Sequence, residues 1–189
     1  MHTLSVVIIT YNEEKHIGKC LDSLKRVADE IIIVDSFSTD ATLAICSHYE
    51  VKLHQNKFSD FSSQRNLAMS MASMSHILFI DADEVLSEAL IDEIRTLKEE
   101  GFKNQVYTLN RITNFCGKWI KHGMWYPDKI QRLVQRGIGK WTGDVHENLT
   151  FDISPTKGFI KGHLLHYSYD SVGQLVDKLE KYTTIQSKQ

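Results

Sequence analysis

Phe79-Ile80-Asp81-Ala82-Asp83-Glu84 is the stretch on which the reading of this chain turns. An apolar run, 77–80, ends in two carboxylates separated by one small residue. Continuous apolar runs of this length mark a strand buried on both faces. Two carboxylates just beyond such a strand cannot share a desolvated site as bare charges; they need a cation, a proton or good solvation. A divalent ion of the Mg²⁺ or Mn²⁺ kind takes carboxylate oxygens and fills its other positions with phosphate oxygens and water. The D-x-D pattern alone is common, so its meaning rests on its surroundings.

Upstream, strand and helix signals alternate. Leu4-Ser5-Val6-Val7-Ile8-Ile9-Thr10 and Ile31-Ile32-Ile33-Val34 read as buried strands, and 51–54 as a short third one. Between them, 14–25 carries Ile17, Leu21 and Leu24 at helical spacing. The Ser/Thr/Asp cluster at 36–40 can cap a helix over 41–47. A further helix is expected over 61–73, and Ser87 caps one that runs through Glu100 and stops at Gly101. The repeated βα pattern predicts an α/β fold with a parallel sheet and helices on both faces. Ligands in such sheets bind beyond the carboxyl ends of the strands. Thr10-Tyr11-Asn12-Glu13, Asp35-Ser36 and Asp81-Ala82-Asp83 all fall there, and Gln64-Arg65-Asn66 opens the helix before the fourth strand. Singly, Ser36, Ser38 and Thr39 read as turn chemistry. Together, the polar ends on one edge favour a ligand site.

After Gln105 the pattern changes to shorter strands, expected at 106–109, 116–120, 130–134 and 164–167, with a last helix starting after Asp170 and continuing past Leu179. No linker or repeat interrupts the chain, so 1–189 reads as one domain with halves 1–104 and 105–189 sharing a core. The polar end, 183–189, carries no stop signal, as expected of a chain truncated at its C-terminus.

Composition agrees with one soluble domain. The 189 residues are 42% hydrophobic and 24% charged, and Lys+Arg 22 against Asp+Glu 24 gives 22 − 24 = −2. Disorder, collagen, coiled coil and repeat arrays are excluded, and without a basic field nucleic acid is a poor partner. Cys20, Cys46 and Cys116 are odd in number and far apart, which argues against a zinc site or a disulfide framework and for free thiols. Met1-His2-Thr3 runs straight into a strand, so no signal peptide is read, and no apolar run approaches the ~20 residues of a membrane-spanning helix. A cytoplasmic protein is expected, peripheral at most.

The ordered motifs Val7-Ile8-Ile9-Thr10-Tyr11-Asn12-Glu13-Glu14, Ile33-Val34-Asp35-Ser36 with Ser38-Thr39-Asp40, Gln64-Arg65-Asn66 and Phe79-Ile80-Asp81-Ala82-Asp83-Glu84 resemble the family 2 glycosyltransferases of the GT-A fold. The later half, with Trp125-Tyr126-Pro127-Asp128, Arg132-Leu133 and Asp144-Val145-His146-Glu147, looks most like a bacterial branch that includes lipopolysaccharide core β-1,4-glucosyltransferases. The resemblance implies an inverting transferase that uses a UDP-linked sugar with Mg²⁺ or Mn²⁺, a saccharide or lipid-linked saccharide acceptor, and contact with the inner membrane where the acceptor is lipid-linked. It implies that Thr10, Tyr11 and Glu13 border base and ribose, that Asp35 accepts from uracil, and that Arg65 approaches ribose or pyrophosphate. Asp81 would contact ribose or a metal-bound water, and Asp83 the metal. The first half becomes the nucleotide-sugar half and the second the acceptor half.

Inversion needs a base opposite the leaving group, and a carboxylate can serve. Glu147 is the candidate against a plain surface charge, with Asp144 second. His166, in the apolar run Leu164-Leu165-His166-Tyr167, reads either as a satisfied core residue or as a metal ligand, and His163 is a weaker version of the same candidate. Trp119, Trp125, Tyr126 and Trp141 read as sugar-stacking surfaces or as core. Arg132 can pair with diphosphate or an acidic acceptor, while Arg136 reads as surface charge. A haloacid-dehalogenase-type phosphohydrolase is the rival enzyme, since 79–85 also resembles its nucleophile loop. That loop belongs after a first strand, however, and three strands precede it here. A non-catalytic nucleotide-sugar-binding protein is the other alternative.

Overall fold

The structure, a computed structural model, describes residues 2–143, 147–169, 171–173 and 175. Its frame is a nine-stranded sheet: β1 (Leu4–Thr10), β2 (Glu30–Asp35), β3 (Lys52–Gln55), β4 (His76–Asp81), β5 (Glu84–Leu86), β6 (Val106–Phe115), β7 (Lys118–Trp119), β8 (Asp128–Gln135) and β11 (Lys157–Tyr169). A separate pair joins β9 (Lys140–Thr142) to β10 (Asn148–Thr150). Among the described residues, α1 (Ile17–Leu24), α2 (Thr42–Cys46), α3 (Phe61–Met71) and α4 (Glu88–Glu100) are the α-helices that pack on this frame.

Strand order is β3-β2-β1-β4-β8-β6-β11-β5, with β7 beside β6. β1, β2, β3, β4, β6 and β11 share one direction; β5, β7 and β8 run against it. The expected parallel sheet is therefore mostly parallel but mixed. It is also one sheet across both halves of the chain, because β4 pairs with β8.

The order demands curvature. β8, β6 and β11 lie between β4 and β5, a gap of about 19 Å in a flat sheet at ~4.8 Å per strand. Asp81 and Glu84, the facing ends of β4 and β5, are only three residues apart and reach at most about 11 Å. The sheet must curl until its far edge returns to the D-x-D turn.

Alternation along β1 builds both cores. Leu4, Val6 and Ile8 pack with Ile17, Leu21 and Leu24 of α1 and Leu90, Ile91 and Ile94 of α4, while Val7 packs on the other face with Ile32, Val34, Phe79, Ala68 of α3 and Trp141. Helices thus cover both faces, as expected. Ser87 caps α4 by accepting from the Leu90 amide at 3.2 Å, and Gly101 ends it at φ 93°. Gly162 lets β11 lie against α4, since a Cβ there would sit 2.5 Å from the Cα of Leu90.

Several boundaries differ for physical reasons. α1 begins at Ile17 rather than near Glu14, because the amides of Asn12, Glu13 and Glu14 bond to Ser38 Oγ, Thr42 Oγ1 and Asp40 Oδ2 on the neighbouring loop. The strand expected over 116–120 shrinks to Lys118–Trp119, because Cys116 (φ 49°) and Gly117 (φ 81°) form a turn. The helix expected after Asp170 lies largely outside the described residues. Cys20 and Cys46 are buried free thiols and Cys116 an exposed one. Burial pushes the Cys46 thiol up to about 11 and Cys20 also well up, so neither is a ready nucleophile.

Candidate active site

Pairing between β4 and β8 covers only His76, Ile77 and Leu78. Beyond Leu78 the pairing stops, and Arg132 of β8 joins the Asp81 end of β4: its Nη2 donates to Asp81 Oδ2 at 2.8 Å. Arg65 of α3 donates from Nη2 to Asp81 Oδ1 at 2.6 Å. Arg65 also donates from Nε to Glu147 Oε1 at 3.2 Å. Glu84, fully buried at the start of β5, accepts the Asp81 amide at 2.9 Å and meets Arg111 Nη1 at 3.3 Å. Arg111 in turn donates from Nε to Asp128 Oδ2 at 2.7 Å. The curl of the sheet thus brings three guanidiniums and four carboxylates, from six segments, into one network.

That network sets the protonation states. Burial would raise the Asp81 carboxyl, but the Arg132 and Arg65 guanidiniums outweigh it and hold it well below the usual carboxylate range. Burial would lower Arg132, and Asp81 and Glu84 reverse that, so it stays charged. Both guanidiniums also lie against the Trp141 ring, at 5.0 Å for Arg65 and 6.0 Å for Arg132. Trp141 is core, as one of its two readings held, and it is also the floor beneath these cations. Among the described residues, Arg132 Nη1, Trp141 Nε1 and Thr10 Oγ1 are buried without a hydrogen-bond partner. Such donors are costly unless water or a ligand meets them.

The Gln64-Arg65-Asn66 motif explains itself as a three-way brace. Gln64 Nε2 donates to Ser36 Oγ at 2.8 Å after β2. Arg65 joins Asp81 to Glu147. Asn66 brackets the backbone of Trp141, with Nδ2 on its carbonyl at 2.9 Å and Oδ1 accepting its amide at 3.0 Å. Ser62, one turn earlier, bonds the Gly143 carbonyl. One face of α3 therefore anchors both ends of the segment that leads to Glu147. Asp144 lies outside the described residues.

Asp83 and His166 come together. His166 Nε2 lies 3.3 Å from Asp83 Oδ2, and the Tyr167 amide donates to the Asp83 carbonyl at 2.9 Å. A carboxylate and an imidazole on one face suit a divalent cation whose other positions go to phosphate and water. Among the described residues no cluster of three or more His, Cys, Asp or Glu forms a cage. His163 is not with them; it stacks on Tyr126 at 6.3 Å.

On the β1–β2 edge, Asp35 is fully buried, accepting Ser38 N at 2.9 Å, Ser38 Oγ at 2.5 Å and Gln55 Nε2 at 3.2 Å. Tyr11, which follows the Thr10 paired with Asp35, is 53% exposed, and the Glu13 amide bonds Thr42 Oγ1 at 2.8 Å. The structure gives Arg65 two carboxylate partners rather than an open guanidinium. Sequence alone assigns Glu84, Arg111 and Asp128 no role at the site, although Glu84 directly follows D-x-D and Asp128 closes the 125–128 motif.

The fold is that of the GT-A glycosyltransferases. The chain belongs to glycosyl transferase family 2, whose model matches residues 5–156. An uncharacterized glycosyltransferase of Rickettsia typhi is 31% identical over all of this chain and 68% of its own length. The lipopolysaccharide core biosynthesis glycosyltransferase LpsC of Rhizobium meliloti is 30% identical over 98% of this chain and 71% of its own. Among solved structures, S. aureus TarS 1-349 superposes with TM-score 0.64 at 18% identity, covering 88% of this chain and 60% of that one. A crystal structure of the same TarS fragment in complex with UDP-GlcNAc superposes with TM-score 0.58 at 19% identity, covering 83% of this chain and 58% of that one. Family membership sets aside the phosphohydrolase alternative, and so does Asp81, whose two oxygens are both held by guanidiniums. No helix among the described residues is long and apolar enough to cross a membrane.

Proposed function

We propose that this glycosyltransferase is inverting and cation-dependent, and that it moves a hexose from a UDP-sugar to a saccharide acceptor of the lipopolysaccharide-core kind. The observation that carries the reading is the meeting of Asp83 with His166 beside an arginine that ties Asp81 to Glu147. The UDP-GlcNAc complex of TarS supports the donor class, and the name of LpsC supports the acceptor class. The 1–104 half would take the donor through Thr10, Tyr11, Glu13, Asp35 and Asp81, and the 105–189 half the acceptor. A lipid-linked acceptor would bring a cytoplasmic protein to the inner membrane surface.

Asp83 and His166 would hold Mg²⁺ or Mn²⁺, which when bound stabilises the charge on a departing diphosphate. Glu147 would accept the proton of the attacking acceptor hydroxyl, with Asp144 as the second candidate. Arg65 fixes where the Glu147 carboxylate stands relative to Asp81, an orienting role that suits a base required to meet one face of a sugar. A single displacement inverts the anomeric carbon, so an α-linked donor yields a β-glycoside.

Following UDP release from UDP-glucose with Mn²⁺ and a core saccharide tests this. Base catalysis contributes about 10²–10⁴-fold, so Glu147→Gln should lower kcat by that factor while the donor KM barely moves. A fully active Glu147→Gln enzyme, or a product that keeps the donor's anomeric configuration, contradicts the proposal.

A further inference from the structure

Phe37, on the turn after β2, has φ 61°, and the residue is 53% exposed. A bulky residue in the left-handed region is strained, and glycine would occupy the same position without that cost. Exposing the ring also forgoes the stabilisation of burial. Phe37 belongs to neither core cluster among the described residues.

The turn that holds Phe37 is pinned on both sides. The Ser36 amide donates to the Thr10 carbonyl at 2.9 Å, and the Ser36 hydroxyl accepts from Gln64 Nε2 at 2.8 Å. Ser38 gives its amide and hydroxyl to Asp35, at 2.9 and 2.5 Å. The strain is thus held by neighbours, which is the pattern of a backbone shaped for function.

The turn after β1 repeats these features. Asn12 has φ 53°, and Tyr11 beside it is also 53% exposed. The two turns are laced together by the Asn12 amide on Ser38 Oγ and the Thr39 amide on Asn12 Oδ1, each at 2.8 Å. Between them lie the ends of two strands paired at Thr10 and Asp35, with Thr10 Oγ1 buried and unpartnered. Two half-exposed aromatic residues on turns laced by hydrogen bonds, next to strand ends that carry an unsatisfied hydroxyl and a buried carboxylate, suit a flat heteroaromatic ligand with polar edges.

We propose that Phe37 is a nucleobase-stacking residue, and that with Tyr11 it forms the two walls of the slot that receives the base of the donor. This rests on reading the β1–β2 edge as the nucleotide site, and it adds a wall that the sequence motifs did not single out. Strain at Phe37 is retained because stacking sets affinity for the base.

Calorimetric titration of UDP and of pyrophosphate, each with Mn²⁺, tests it on the unmodified chain, Phe37→Gly and Phe37→Tyr, alongside melting of the unliganded proteins. Phe37→Gly should melt at a higher temperature yet bind UDP about tenfold more weakly, the loss expected for one stacking contact. Pyrophosphate has no base and should bind it unchanged, and Phe37→Tyr should keep UDP affinity. UDP affinity unaltered by Phe37→Gly, or UDP and pyrophosphate weakened alike, overturns the slot. Failure of the unmodified chain to bind UDP at all overturns the nucleotide reading, and the slot with it.

Discussion

Arg65 Nη2 stands 2.6 Å from Asp81 Oδ1, and this contact ties α3 to the end of β4. The same guanidinium reaches Glu147, 82 positions later in the chain, so one side chain spans the donor-side carboxylates and the candidate base. Arg132 grips the other oxygen of Asp81. A carboxylate held in this way on both oxygens is a fixed negative pole, positioned before any substrate arrives.

Removing one pole of such a buried network should be severe. Arg132→Met strips a guanidinium from both Asp81 and Glu84, leaving Asp81 to Arg65 and Glu84 to Arg111, so the buried carboxylates outnumber the cations that face them. Breaking a buried pair in this manner typically costs about 3–5 kcal/mol. Urea unfolding at pH 7 should show a loss of that order, and a loss under about 1 kcal/mol would mean that water already shares the charge of Asp81.

Acid stability should be set at the opposite end of the sheet. His76 is buried against Phe102, with ring centroids 3.9 Å apart; burial, and then His2, push its imidazole down to about 4. The unfolded chain takes a proton at this residue near pH ~6.5, so it binds more protons than the native state between the two values, and stability falls as pH falls through that window. Glu30 works lower on the scale. Burial would raise it, but Lys52, Ser5 and Ser73 hold it down to about 2, so its contribution is present above pH ~4.3 and is lost as pH falls toward 2. Urea midpoints at pH 7.5, 5.5 and 4.5 should therefore decline more gently in His76→Phe than in the parent. Parallel declines in the two proteins would remove His76 from the account.

Much of this fold is legible in the sequence. β1, β2 and β4 were plain because strands covered on both faces must be continuously apolar, and the D-x-D turn was plain because carboxylates end such a run. The pairing of Asp83 with His166 was reachable as a hypothesis from residue type alone. The strands β5, β9 and β10 were not legible: Glu-Val-Leu, Lys-Trp-Thr and Asn-Leu-Thr carry no periodicity, and tertiary pairing decides them. The Arg65 and Arg132 clamps were also hidden, since they depend on a sheet curling until residues 16 and 51 positions from Asp81 converge on it. Local sequence has no term for that curl.

The most direct measurement is calorimetric titration of UDP into the protein with Mn²⁺, with EDTA in its place, and into Asp83→Ala and His166→Ala with Mn²⁺. UDP should bind in the presence of Mn²⁺, weaken at least about tenfold with EDTA, and weaken comparably in each variant, since each loses one protein ligand to the cation. UDP binding as strong in EDTA, or in Asp83→Ala with Mn²⁺, as in the unmodified protein with Mn²⁺ would contradict a cation held by Asp83.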